Sequence, residues 1–446
     1  VRICTIGAGA AGLPVVKALA DAGLSFDAFE QSSVVGGLWV YDNPGGPSAA
    51  YRSLHINTSR DRMAYADLPM PRDWPDFLHH SLVARYLSDY ADAFDLRRRI
   101  TFGTRVERAV RAGSGWSVSL STGETRAYDV LIVANGHHWS PRGPDPAPPG
   151  RFDGPQLHSH AYRDPTTPLD LRGRRVLVVG FGNSAMDLAV ELGDRTTAAK
   201  VLLSVRRGGW VVPRYLFGRP LDTFTAANVL PVPVRDRALT ALLRFAVGRP
   251  DRYGLPRPDH GVLGAHPTIS GEILGRLGAG DVTVKPGVAA LLPDAVRFTD
   301  GTVEPVDAIL WCTGYRIAFP FFDPAYLDPG DDNELSLFWN VWRPEDPSVA
   351  FVGLVQPLGA VQPIAERQAK LVADWLTGRY ALPTPAAMAR RAASDRARTR
   401  RRYLASKRHT IQVDFDDYQA GLLREWARGR ARAAGGVRGA LAGGWG

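Results

Sequence analysis

Twice in this chain a short apolar run gives way to closely spaced glycines and then to a helix-forming stretch: VRICTIGAGAAG at 1–12 and RRVLVVGFGNSAMDLA at 174–189. A strand that ends in such a turn and feeds directly into a helix opens a βαβ nucleotide-binding unit. The glycines differ in role. Gly7 makes the tight turn, Gly9 lets backbone approach a pyrophosphate, and Gly12 lets the helix pack against the strand. Gly180 and Gly182 repeat the first two roles, with Ala185 in the third place, where only helix packing is at stake. In both units the pyrophosphate is expected on the helix N-terminus, where unpaired N–H groups and the dipole favour anions. Asn183 and Ser184 open that helix in the second unit.

The strand after each helix separates the two ligands. Glu30 ends the first, eighteen residues past Gly12, and its carboxylate can accept both ribose hydroxyls of an adenosine. It would repel a 2′-phosphate, so the site suits FAD or NAD. The continuation EQSSVVGGLW selects FAD, because Gly36 and Gly37, followed by Leu38 and Trp39, extend the loop beyond what NAD needs. The second strand ends differently, in Ser204, Val205, Arg206 and Arg207, with Arg206 twenty-one residues past Ala185. A guanidinium fork matches a phosphate dianion. The expected ligand is NADPH, with Ser204 and Arg206 on its 2′-phosphate.

The expected fold is therefore α/β: two Rossmann-like dinucleotide-binding domains, the NADPH domain inserted into the FAD domain. The boundaries expected are 1–165 for the first part of the FAD domain, 166–305 for the NADPH domain with an insertion at about 213–260, 306–384 for the return to the FAD domain, and 385–446 for a basic helical extension. The Pro/Gly-rich stretch Pro141–Pro155 reads as a linker.

The net charge of +9 would suggest nucleic acid, but 385–446 carries 14 Lys/Arg against 5 Asp/Glu, which leaves the remainder balanced at 40 of each sign. A tail such as RRAASDRARTRRR lacks the interleaved aromatics of a nucleic-acid arm and reads as a solvated Arg/Ala helix. No run approaches the ~18 apolar residues of a membrane span, and no charged-then-apolar leader opens the chain. It starts at Val1, directly in a strand, so residues before it are expected. The two cysteines, Cys4 and Cys312, lie in apolar runs far apart and read as buried thiols of a reducing, cytoplasmic compartment. They are no redox pair, so a disulfide reductase is excluded. Electrons passed from NADPH to flavin must go to oxygen, a diffusible acceptor or a partner protein.

Between the two turns lies FDGPQLHSHAY, which fits an FxGxxxHxxx(Y/F) signature at Phe152, Gly154, His158 and Tyr162. With EQSSVVGGLW, LHINTSRDRMAYADLPMP, GFGNSAMD, SVRRGGWVVPR, AHPT at 265–268, LWCTGY at 310–315 and GLVQPLGAVQPIAERQAK at 353–370, this chain resembles the flavin-containing monooxygenases over nearly its whole length. The related Baeyer–Villiger enzymes end the signature with Trp, from which Tyr162 departs.

The resemblance implies a flavin C4a-(hydro)peroxide that oxygenates a soft nucleophile, an amine nitrogen or a sulfide sulfur of a small molecule, with O2 as co-substrate. It makes Asn57, in INTS, the catalytic residue, a donor at the reacting group. Gly154 is expected to permit a turn, His158 to organise the domain junction, and Tyr162 to reach the nicotinamide. Thr313 and Gln356 are expected by the flavin, Val106 at the adenine, and Trp210 and Val212 along the substrate's access. Similar enzymes are often homodimers. Two alternatives stand at this point: Baeyer–Villiger oxygenation of a ketone, and a flavin reductase or NADPH oxidase.

Overall fold

The computed structural model describes residues 1–224, 232–403 and 410–436, and the chain divides into two compact units. The first gathers Val1–Ser48, Arg60–His137 and Ile317–Gly446. Its centre is a five-stranded, all-parallel sheet in the order Val349–Phe351, Val130–Val133, Ile3–Ile6, Phe26–Phe29, Ile100–Thr101. The strands ICTI and VLIV are buried along their whole length, as a parallel sheet covered on both faces requires. An antiparallel sheet of Val106–Ala112, Gly115–Leu120 and Thr125–Tyr128 precedes Val130. The helices Gly12–Asp21 and Gln362–Leu376 pack together on one sheet face. Gly353 lies under them, where a Cβ would stand 2.5 Å from that of Ala11.

The second unit, Ala49–Ser59 with His138–Arg316, repeats this plan. Its parallel sheet runs Val282–Lys285, Lys200–Ser204, Arg175–Val179, Ala308–Trp311, Gln156–His158. Beside it stands an antiparallel sheet of Val288–Leu291, Ala295–Phe298 and Val303–Pro305. The sequence of this unit is nested within that of the first.

The division falls elsewhere than at 165/166 and 305/306. Gln156–His158 is hydrogen-bonded to Ala308–Trp311 as an edge strand of the nested sheet, so both belong to that sheet. Residues 49–59 join it through side chains: Tyr51 Oη donates to Asp187 (2.5 Å) and Ser53 Oγ to Glu191 (2.9 Å).

The basic extension is part of the first unit. Helix Pro385–Arg402 buries only Met388 and Ala392. Gln412–Asp414 adds a strand to Gln356–Leu358, and helix Phe415–Ala434 follows. Several arginines there are paired, Arg400 with Glu334 (2.5 Å), Arg402 with Asp414 (3.0 Å) and Arg430 with Asp374 (3.1 Å). Among the described residues no helix is long and apolar enough to cross a membrane, and no cluster of His, Cys, Asp and Glu could hold a metal. Of the insertion, the hairpin Tyr215–Leu216/Arg219–Pro220 and the helix Val232–Ala246 are described, while 225–231 lie outside the described residues.

Candidate functional site

In the first unit backbone closes the glycine turn. Gly7 has φ +102° and donates its N–H to the Phe29 carbonyl at 2.8 Å. A Cβ on Gly12 would stand 1.9 Å from the Gly7 carbonyl oxygen, so that position admits only hydrogen. A Cβ on Gly37 would come within 3.2 Å of Gly9 Cα, so the second glycine pair lies directly against the first turn. Leu38 and Trp39 continue from Gly37 as one half-buried helical turn. No side chain caps helix Gly12–Asp21, which leaves its positive end to an anion.

Glu30 lies beside this turn. Its Oε2 accepts the Ala8 N–H (2.7 Å) and its Oε1 the Ser32 N–H (2.8 Å). Burial pushes its carboxyl up, while the N–H donors hold it down. Each oxygen keeps a lone pair for a hydroxyl donor. Val106 points into the core and starts a strand at a register irregularity. The Gln356 N–H donates to the Ile411 carbonyl at 2.9 Å, just before the helix that opens at Gln362.

In the nested unit Gly180 has φ +143°, and a Cβ there would meet the Cys312 carbonyl at 2.6 Å. Gly182 starts helix Asn183–Leu192, again with no side-chain cap. Asn183 turns its side chain inward, where Oδ1 accepts the Ile269 N–H (2.9 Å), and Ser184 is half-buried. Arg206 is exposed at the strand end, and its Nη1 donates to the Asp145 carbonyl at 3.3 Å.

The structure gives several of the expected site residues partners within the nested unit. Ser204 is buried and its hydroxyl donates to the Pro286 carbonyl (2.8 Å). Tyr162 is fully buried beneath helix Asn183–Leu192, where its Oη donates to Glu191 (2.9 Å); it is a packing residue, not a nicotinamide contact. Thr313 belongs to the nested unit and donates to the Arg142 carbonyl (2.5 Å). The chain bends at Gly154 with a φ that is not positive, and a Cβ there would strike the Phe152 ring at 2.5 Å. Trp210 and Val212 are buried with Leu243 and Val262, so they line core and not access. His158 stands at the nested sheet's edge, where its Nδ1 accepts the His160 N–H (3.0 Å). Burial holds its imidazole down at about 4, so it is neutral at neutral pH.

Asn57 lies in the nested unit, where its Oδ1 accepts from Arg214 Nη2 at 3.3 Å. A guanidinium only donates, so this contact fixes the amide: oxygen toward Arg214, the NH2 pair turned away. Arg214 ends SVRRGGWVVPR, but nothing local in that run ties it to residue 57.

Asp187 closes the GFGNSAMD stretch, but the sequence assigns it no role. Burial pushes its carboxyl up to about 6, against a lowering by the Tyr51 hydrogen bond and Arg214. An acid set between the apolar residues Met186 and Leu188 of this helix is the available signal. The folded acid keeps its proton to about pH 6, whereas the unfolded one loses it near the ordinary value of 3.8. Stability from this group is therefore present at low pH and falls as pH rises through that window, by roughly 3 kcal/mol in all. Asp187→Asn is expected to raise Tm at about pH 8 and to lose that advantage near pH 4, which thermal melts across the window measure.

The Flavin-binding monooxygenase-like family model matches residues 1–427. This chain belongs to that family. It is 35% identical over 439 residues to flavin-containing monooxygenase 5 of Rattus norvegicus, covering 93% of this chain and 81% of the relative. It is also 35% identical over 447 residues to dimethylaniline monooxygenase [N-oxide-forming] 2 of the same species, covering 95% and 82%. Among solved structures, S-allyl-L-cysteine S-oxygenase from Allium sativum matches with TM-score 0.70 at 25% identity, over 96% of this chain and 88% of that one. An oxidized steroid monooxygenase bound to NADP shares the fold, with TM-score 0.73 at 20% identity, over 96% and 98%. As a flavin-binding monooxygenase, this enzyme uses FAD and NADPH and acts on a small molecule with O2.

Proposed function

We propose that the first unit holds FAD, the nested unit holds NADPH, and the enzyme oxygenates an amine nitrogen or a sulfide sulfur. The observation that carries this reading is the contrast between the two strand ends. At one, a buried carboxylate with spare lone pairs lies beside the glycine turn; at the other, an exposed guanidinium takes its place. A ribose diol suits the first and a 2′-phosphate the second.

The residues present fit both cofactors. In this reading Gly7, Gly9, Gly12 and Gly37 form a cradle that a Cβ would fill, and the uncapped helix end receives the FAD pyrophosphate. Glu30 takes the adenosine ribose, Leu38 and Trp39 flank the longer ligand, and the backbones at Val106 and Gln356 complete the contact. Gly180, Gly182 and the N–H groups of Asn183 and Ser184 receive the NADPH pyrophosphate, and Arg206 takes the 2′-phosphate. The flavin supplies hydride acceptance and oxygen activation when bound. The chain's part is to hold both nucleotides, exclude water and present a fixed donor, the Asn57 amide. The titratable residues need supply no general base toward a nucleophilic substrate. The names of two relatives, an N-oxide-forming dimethylaniline monooxygenase and an S-oxygenase, support the amine-or-sulfide class. A cytoplasmic homodimer belongs to the same reading; free Cys4 and Cys312 agree with a reducing compartment, and sedimentation measures the state.

Removing the guanidinium tests the nested assignment. Arg206→Gln is expected to lower kcat/KM for NADPH about 10- to 100-fold, the ~1.5–3 kcal/mol of hydrogen bonds to a charged group, while leaving NADH unchanged. Steady-state rates with both coenzymes measure it. An unaltered ratio would remove Arg206 from the 2′-phosphate. Turnover of a tertiary amine, a thioether and a ketone in parallel tests the substrate class, and ketone turnover alone would overturn it.

A further inference from the structure

One guanidinium in the nested unit is buried without a counter-charge among the described residues. Arg142 is 8% exposed, and neither its Nε nor its Nη2 meets an acceptor among the described residues. Arginine does not shed its proton, and a buried ion is costly unless an anion offsets it. Nε and Nη2 form one edge of the guanidinium, the edge that gives two parallel bonds to a single oxyanion.

The backbone around Arg142 is firmly held. Its N–H donates to the Gly314 carbonyl (2.9 Å) and its own carbonyl accepts from Thr313 Oγ1 (2.5 Å). Both partners follow Cys312, whose carbonyl lies against Gly180 of the second glycine turn. Three residues further on, the Asp145 carbonyl accepts from Arg206. One short segment thus connects the neighbourhood of the phosphate turn with the arginine at the strand end.

We propose that Arg142 is a second phosphate ligand for NADPH, acting with Arg206 from a segment outside the strand–turn–helix motif. The inference rests on the assignment of the nested unit to NADPH. It explains why a linker otherwise rich in Pro and Gly buries a cation.

The test uses the FAD-loaded enzyme and compares wild type, Arg142→Met and Arg142→Lys by calorimetric titration with NADP+ and NAD+ and by thermal melting. Removing an uncompensated buried charge should leave Tm without nucleotide unchanged or a few degrees higher in Arg142→Met. The same variant should bind NADP+ about tenfold more weakly or worse, and Arg142→Lys should recover part of the loss. Loss with NADP+ alone puts Arg142 on the 2′-phosphate, and equal loss with NAD+ puts it on the pyrophosphate; both support the proposal. Unchanged NADP+ affinity in Arg142→Met, whatever its Tm, overturns it. A wild-type enzyme that fails to bind NADP+ overturns the nested assignment and this inference together.

Discussion

Gly12→Ala will be isolated without flavin and with a lowered melting temperature. The methyl carbon would have to sit 1.9 Å from the Gly7 carbonyl oxygen, and the neighbour is backbone, held in turn by the Gly7 N–H bond to Phe29. No rotamer change relieves that clash, so strand and helix must part, at about 3 kcal/mol or more. The pyrophosphate cradle is lost with them. Gly9→Ala separates the two effects. There the nearest atom to a new Cβ is Gly37 Cα at 3.6 Å, an ordinary contact, so the chain folds while the methyl fills space the cofactor needs. Flavin content per chain, read beside circular dichroism and Tm, distinguishes them: Gly12→Ala loses both stability and flavin, Gly9→Ala mainly flavin. A Gly12→Ala protein with one flavin per chain and an unchanged Tm would sink the assignment of this turn.

Asn57→Ala is expected to keep consuming NADPH and O2 while product formation falls about 10²–10³-fold, the loss typical of one preorganised donor. The missing product should appear as hydrogen peroxide. The geometry makes a sharper version possible. Arg214 holds the amide oxygen, which leaves the NH2 as the group free to donate. Asn57→Asp preserves shape and the Arg214 contact but has no such donor when ionised. It should uncouple as badly as alanine. The ratio of peroxide to oxygenated product, with a thioether or tertiary amine, measures both variants. Full coupling in Asn57→Asp would show that the amide positions the chain and donates nothing to the reaction.

The Asp187, Arg206 and Arg142 experiments probe the nested unit by independent readouts: a pH-dependent melt, a coenzyme preference and a binding constant. They fail separately, so a wrong residue assignment is distinguishable from a wrong cofactor assignment.

The two nucleotide units were legible in the sequence because their signals are local. Glycine spacing, fully apolar strands and the residue at the next strand's end all lie within about thirty positions, and sterics and helix geometry dictate what each must do. The nested order followed from the same reading, since the second unit interrupts the first along the chain. The tertiary structure alone decided which side chains remain for ligands. Ser204 donates to Pro286, Tyr162 to Glu191 and Thr313 to Arg142, and Asn57 is oriented by Arg214, 157 residues away. It also moved 49–59 and 156–158 into the nested unit and left Arg142 buried without a counter-charge among the described residues. A hydrogen-bonding group satisfies whatever partner folding brings to it, and that partner is set by sheet order and packing rather than by neighbours in sequence.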